Sequence, residues 1–176
     1  MAAGLMIAST LASTVLVPRF GPKPVVPLGM GIAAAGMFWL TGLDLTSGYV
    51  TDILPPLIVA GLGLGLVMSP AMSLATAGVG AEDSGVASAA VNTMQQVGGS
   101  LGTALLNTLS TTAVTNYLDG RNPEDPMVLA QAGLEGYSTA YWWSAAFFAA
   151  GLVISVLLCR RGVPATDPDA APVVHM

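Results

Sequence analysis

A chain of 176 residues with 53% hydrophobic and only 9% charged residues, and a mean hydropathy of +0.71, lies far from the roughly 25% charged residues of soluble domains. It reads as an all-α integral membrane protein, one helical bundle without room for a separate soluble domain. The net charge of -5 falls almost wholly in loops and tail and argues against nucleic acid as a partner, while the single cysteine, Cys159, excludes an internal disulfide or a cysteine zinc site.

The first apolar stretch, about residues 1–17, is short: roughly 25 Å at 1.5 Å per residue, against a hydrocarbon core of roughly 30 Å. It lacks the positive n-region of a signal peptide and reads as a membrane helix whose beginning is a candidate for truncation. Pro18-Arg19-Phe20-Gly21-Pro22-Lys23 reads as a tight basic turn. The second span, 24–43, carries Gly29, Ala33 and Gly36 on one face and Trp39 near its end. An acidic loop, 44–52, leads to the third span, 53–77, which opens with Pro55-Pro56 in a first helical turn where amide hydrogens lack partners anyway. Gly61, Gly65, Met68, Met72 and Thr76 share a stripe of that span, and Pro70 is a candidate hinge or a static kink.

The fourth span, 84–113, follows Glu82-Asp83, carboxylates suited to a helix N-terminus. From Gly85 to Ser110 it holds no charge and no proline. At about 100° per residue, Gly85, Ala89, Asn92, Gln96, Gly99, Thr103, Asn107 and Ser110 form one stripe, opposite Ala90, Met94, Val97, Leu101 and Leu105. An unpartnered carboxamide in hydrocarbon costs several kcal/mol, so the polar stripe is expected to face other helices or internal water. Gly98-x-x-x-Gly102 suits close helix approach. Residues 119–126 are a loop, Met127 to Leu134 reads as a short interfacial helix, and the last span, 138–159, closes on Arg160-Arg161. The remainder, 162–176, is expected to be a disordered cytoplasmic tail.

With five alternating spans, Arg19, Lys23, Arg160 and Arg161 share one side and only Arg121 the other, which puts the N-terminus outside and the C-terminus in the cytoplasm of a multi-pass cell-membrane protein. Tyr49, Tyr117, Tyr137, Tyr141, Trp142, Trp143 and Trp39 then fall near the outer interface. Two readings of Asn92, Gln95 and Gln96 stand side by side: lining of a substrate cavity, with Met68 and Met72 as adaptable apolar contacts, or hydrogen-bonded glue between helices. Gly61, Gly65, Gly85, Gly98, Gly99 and Gly102 read as helix-packing positions. Cys159 beside Arg160 is a palmitoylation candidate or an inert thiol, and His175 a solvent-exposed tail residue without companions for a metal. No ionisable group lies inside the expected spans, and no nucleophile and base constellation, P-loop or metal motif argues for an enzyme.

Gly85-x6-Asn92-x3-Gln96-x-Gly98-Gly99-x2-Gly102, preceded by Gly61-Leu-Gly-Leu-Gly65 and the Glu82-Asp83-Ser84-Gly85 junction, resembles drug:proton antiporters of the major facilitator superfamily, specifically the fourteen-span EmrB/QacA type. The Arg19-Phe-Gly-Pro-Lys23 turn is similar to a short basic loop those proteins repeat in their second half. The resemblance implies that the five spans are most of the C-terminal bundle of a multidrug exporter driven by a proton gradient, without a bound cofactor. It also implies that the N-terminal half, the two linking helices and the membrane carboxylates are missing, and that Gln95 stands where relatives often carry Arg. The expected partners are the lipid bilayer, small hydrophobic or cationic substrates and that missing half. A non-transporting fragment or a helical partner subunit is the alternative.

Overall fold

The computed structural model describes residues 2–76, 79–80 and 82–160. The tail at 162–176, with His175, and Arg161 lie outside the described residues, as does the side chain of Cys159. The described chain is helical from end to end: α1 (Ala2–Leu11), α2 (Val17–Phe20), α3 (Pro22–Trp39), α4 (Leu54–Thr76), α5 (Ser84–Leu118) and α6 (Pro126–Arg160). A π-helical turn, Ala12–Leu16, joins α1 to α2 into one rod, and a second, Tyr49–Ile53, leads into α4. By length and apolarity Lys23–Gly42, Tyr49–Ala75 and Pro126–Leu157 can each cross a membrane, while Leu5–Phe20 is a shorter apolar helix. The 35 residues of α5 give it ample length, but its Asn, Gln, Ser and Thr content leaves it outside that apolar set.

Four expected boundaries move. The basic turn shrinks to Gly21 alone: Val17–Phe20 is helical through Arg19, and helix resumes at Pro22. Gly21 takes φ +76°, a backbone region that glycine enters without steric cost. The acidic loop yields its last residues to the π-helical turn at Tyr49. α5 continues to Leu118, so 114–118 is helix rather than loop. Met127 to Leu134 is no separate interfacial helix but the first turns of α6, which runs unbroken for 35 residues, roughly 52 Å at 1.5 Å per residue. That exceeds a hydrocarbon core of roughly 30 Å, so α6 projects beyond the apolar layer.

The core lies between α1, α3 and α4, around Ala8, Ala12, Val25 and Leu66 with Leu16, Ile32 and Leu62 against them. Its tightest part is the antiparallel seam of α3 and α4, where small residues let backbone touch backbone. A Cβ added to Gly36 would lie 2.6 Å from the Ala60 nitrogen and 2.9 Å from the Pro56 carbonyl. One added to Gly29 would lie 2.8 Å from the Gly63 carbonyl, and one on Gly63 would meet the Ala33 backbone nitrogen. Close approach of this kind maximises dispersion contact where no hydrophobic drive separates helix from lipid. On the other side of α4, a Cβ on Gly65 would come within 2.5 Å of the Leu5 carbonyl, so α1 is held as closely. Gly61 is buried in the same helix.

α6 lies antiparallel to α3. The Ser138 hydroxyl donates to the Thr41 carbonyl at 3.3 Å, and at the other end Gly31 faces Leu152 while Gly151 faces Met30. The last turn of α6 is therefore level with Lys23 at the start of α3. α5 returns along α6: Gly136 sits against Val114 and Ser110, and the Tyr117 hydroxyl donates to Gln131 Oε1 at 2.5 Å.

Candidate functional site

Between Gly85 and Leu105, α5 has nothing of the described chain on either flank. Asn92, Gln95 and Gln96 are exposed, and on the apolar stripe Met94 and Leu101 are 69% and 66% exposed. Around Gly85, Gly98, Gly99 and Gly102 a Cβ would meet nothing within 4 Å. Their small size thus makes room for contacts that this chain does not itself supply.

The hydroxyls and the carboxamides on α5 are in different states. Thr93, Thr103, Thr108, Thr112 and Thr115 each donate to the carbonyl four residues back, at 2.8–2.9 Å, and Ser100 donates to Val97. Such back-bonds satisfy a hydroxyl without leaving the helix. Carboxamides have both a donor and an acceptor to satisfy, and Asn92, Gln95 and Gln96 make no hydrogen bond among the described residues. The stripe therefore presents unspent hydrogen-bonding capacity at three neighbouring positions. Nearer the end of α5, Asn107, Thr108, Thr111, Thr112, Thr115 and Asn116 border an open groove of about 400 Å³.

The remaining candidate residues are spread over other elements. Met68 on α4 is 44% exposed, while Met72 is partly buried and already in contact with a neighbour. Pro70 between them is fully buried, and α4 stays helical through it to Thr76. Arg19 and Lys23 flank Gly21 on the exposed surface. Asp83 occupies the N-cap of α5 through its backbone, without a side-chain cap. Among the described residues no three His, Cys, Asp or Glu side chains gather where a metal ion could bind.

Glu135 escaped the sequence reading. The continuous α6 makes it part of the same helix that crosses the membrane, half a turn outside the ring of Tyr137, Tyr141, Trp142 and Trp143. The signal available was length: an apolar run beginning at 138 leaves no break between 127 and 138 that would stop a helix.

Residues 1–103 match the family model described as Major Facilitator Superfamily. The chain is similar to the puromycin resistance protein pur8 of Streptomyces alboniger, 38% identical over 166 residues, which are 93% of this chain and 33% of that protein. It is 38% identical over 88 residues to the cephamycin export protein CmcT of Amycolatopsis lactamdurans, covering 50% of this chain and 18% of that protein. Its similarity to the tetracenomycin C resistance and export protein of Streptomyces glaucescens is 35% over 112 residues, or 63% of this chain and 20% of that protein. The chain spans about a third or less of the length of these curated relatives.

Proposed function

This chain belongs to the major facilitator superfamily, and from that premise we propose that it forms the C-terminal part of a proton-coupled multidrug efflux transporter. It would export lipophilic or cationic compounds by alternating access. The observation that carries the reading is the uncovered polar stripe of α5, whose unpaired carboxamides at Asn92, Gln95 and Gln96 could not survive against lipid. In transporters of paired bundles the substrate sits near the bilayer midplane between them, and a stripe of this kind supplies one wall of such a site. The names of the relatives concern resistance to or export of puromycin, cephamycin and tetracenomycin C, which supports drug export as the task.

In this reading, Asn92, Gln95 and Gln96 offer both hydrogen-bond donors and acceptors to varied solutes, and Met68 and Met72 offer soft apolar contact. Pro70, which removes one backbone hydrogen bond from α4, is the hinge about which that helix bends. Gly98, Gly99 and Gly102 admit the second bundle to close range. The proton-carrying group lies in that second bundle. Arg19, Lys23 and the end of α6 face the cytoplasm.

The test is a chimaera in which this chain replaces the matched third of the puromycin resistance protein. Puromycin efflux should persist. Asn92→Ala combined with Gln96→Ala should lower it about tenfold at equal membrane level, the effect of losing one to two hydrogen bonds. Unchanged efflux and substrate range would reject the cavity role.

A second reading, in which the chain is a non-transporting fragment or a helical subunit packed against others, draws on the open space around Gly98, Gly99 and Gly102. Proteoliposomes of the chain alone showing no flux, together with co-purification of other membrane subunits, would favour it.

A further inference from the structure

Opposite the end that carries Arg19, three cavities meet at one carboxylate. Where the chain leaves α3, Asp44 folds the loop back on itself: its Oδ1 accepts the Thr46 amide at 2.8 Å, the Thr46 hydroxyl at 2.7 Å and the Ser47 hydroxyl at 3.2 Å. The Ser47 hydroxyl oxygen accepts the Asp44 amide at 2.9 Å. Hydrogen bonds from Thr46, then Ser47, hold the carboxyl below its ordinary pKa of 3.8, so the group stays charged. All three bonds fall on Oδ1, which leaves Oδ2 without a protein partner among the described residues.

α6 is tied beside this loop by the bond from Ser138 to Thr41. Between them opens a cavity of about 310 Å³ whose wall includes Asp44, Glu135, Tyr117 and Gln131. It shares Asp44 and Ser138 with an adjoining cavity of about 350 Å³ that adds Tyr137, Tyr141 and Ile53. A third, of about 240 Å³, joins Asp44 to Asp52 and Trp39. Facing these spaces are the carboxylates of Asp44, Asp52 and Glu135. The one nearby cation, the Arg121 guanidinium, already lies 3.9 Å from the Tyr117 ring centroid and donates to the Tyr117 carbonyl. One aromatic face of the site thus holds a delocalised cation, and the bond from Tyr117 to Gln131 fixes that ring in place.

We propose that the cavity between Asp44 and Glu135 binds an organic cation with an apolar body. The two carboxylates supply the charge, the tyrosine rings an electron-rich surface, and Leu43, Leu45 and Leu134 the apolar wall. The chemistry selects against a metal ion, because oxygen-ligated cations take six or more ligands and no third carboxylate joins these two. It also selects against anions, which meet three carboxylates for one guanidinium. The cavity is separate from the α5 stripe, so the proposal stands or falls independently of the export reading.

Calorimetric titration of the full chain in lipid nanodiscs with tetraphenylphosphonium tests it. One site is expected, with triphenylphosphine oxide, a neutral molecule of related shape, failing to bind. Asp44→Asn and Glu135→Gln should each weaken binding about tenfold, while Asn92→Ala leaves it unchanged. Glu135→Gln disturbs no hydrogen bond of the described structure, and circular dichroism confirms that helix content is retained. Binding that is undetectable in the unaltered chain, or equal in Asp44→Asn and Glu135→Gln, would overturn the proposal. Because the readout is binding alone, failure of export in the chimaera neither supports nor removes it.

Discussion

The α3–α4 seam and the middle of α5 are written in the same small residues, yet one is sealed and the other bare. Gly29, Gly36 and Gly63 sit where an added Cβ would strike backbone. Gly98, Gly99 and Gly102 look into open space at the same 4 Å limit. The seam is finished within the chain and supplies its stability. The α5 face is unfinished and, in the proposed function, belongs to an interface and a cavity that the rest of a transporter completes. Glycine spacing alone therefore reports that a helix face is approachable, and says nothing of what approaches it.

That contrast can be broken first at the seam. Gly36→Leu forces α3 away from Ala60 and Pro56, neither of which can yield because both contacts are backbone; overpacking of this kind costs about 1–3 kcal/mol or more. Thermal unfolding of the chain in detergent should register it, while Gly98→Leu leaves the same transition nearly in place. Equal losses for the two variants would erase the distinction. Next in size, Ser138→Ala removes the bond that pins α6 to the end of α3 and should lower stability by about 1 kcal/mol, read from the same melts.

A smaller effect changes sign with context. Gly98→Ala should stabilise α5 in the isolated chain by about 0.5–1 kcal/mol, since alanine favours helix and nothing obstructs its methyl. In the chimaera the same methyl should reduce efflux, because the second bundle must pass close to that point. The smallest effect concerns Asp44. Its folded pKa is lowered, so its contribution is present above the ordinary value of 3.8 and is lost as pH falls through the lowered one. Slow exchange of the Thr46 amide should persist at pH 5 and disappear only in stronger acid.

The seam was legible in the sequence on one side: Gly29, Ala33 and Gly36 recur at helical spacing, and that face is the one buried against α4. On α4 the sequence offers Gly61, Gly63 and Gly65 at two-residue steps, which point in different directions. Only the positions of α1 and α3 decide that Gly63 meets α3 and Gly65 meets α1. The polar stripe of α5 was legible for the same periodic reason, but its surroundings were not, since they depend on atoms outside the chain. Helix ends were misjudged where polarity stood in for loop. Residues 114–118 and 127–137 are polar yet helical, because Tyr117 and Gln131 clasp each other and Gly136 lets α5 approach. The turn at Asp44 was read only as acidic. Its value lies in Thr46 and Ser47, whose hydroxyls aim the carboxylate.

The most direct test of the account is where Asn92 and Gln96 point in the membrane. In the chimaera, with Cys159→Ser as background, Asn92→Cys, Gln96→Cys and Met94→Cys can each carry a bimane fluorophore in lipid containing acyl-chain nitroxides. The account predicts strong quenching at position 94 and little at 92 and 96, whose stripe faces protein or internal water. Quenching at 92 and 96 as strong as at 94 would contradict it.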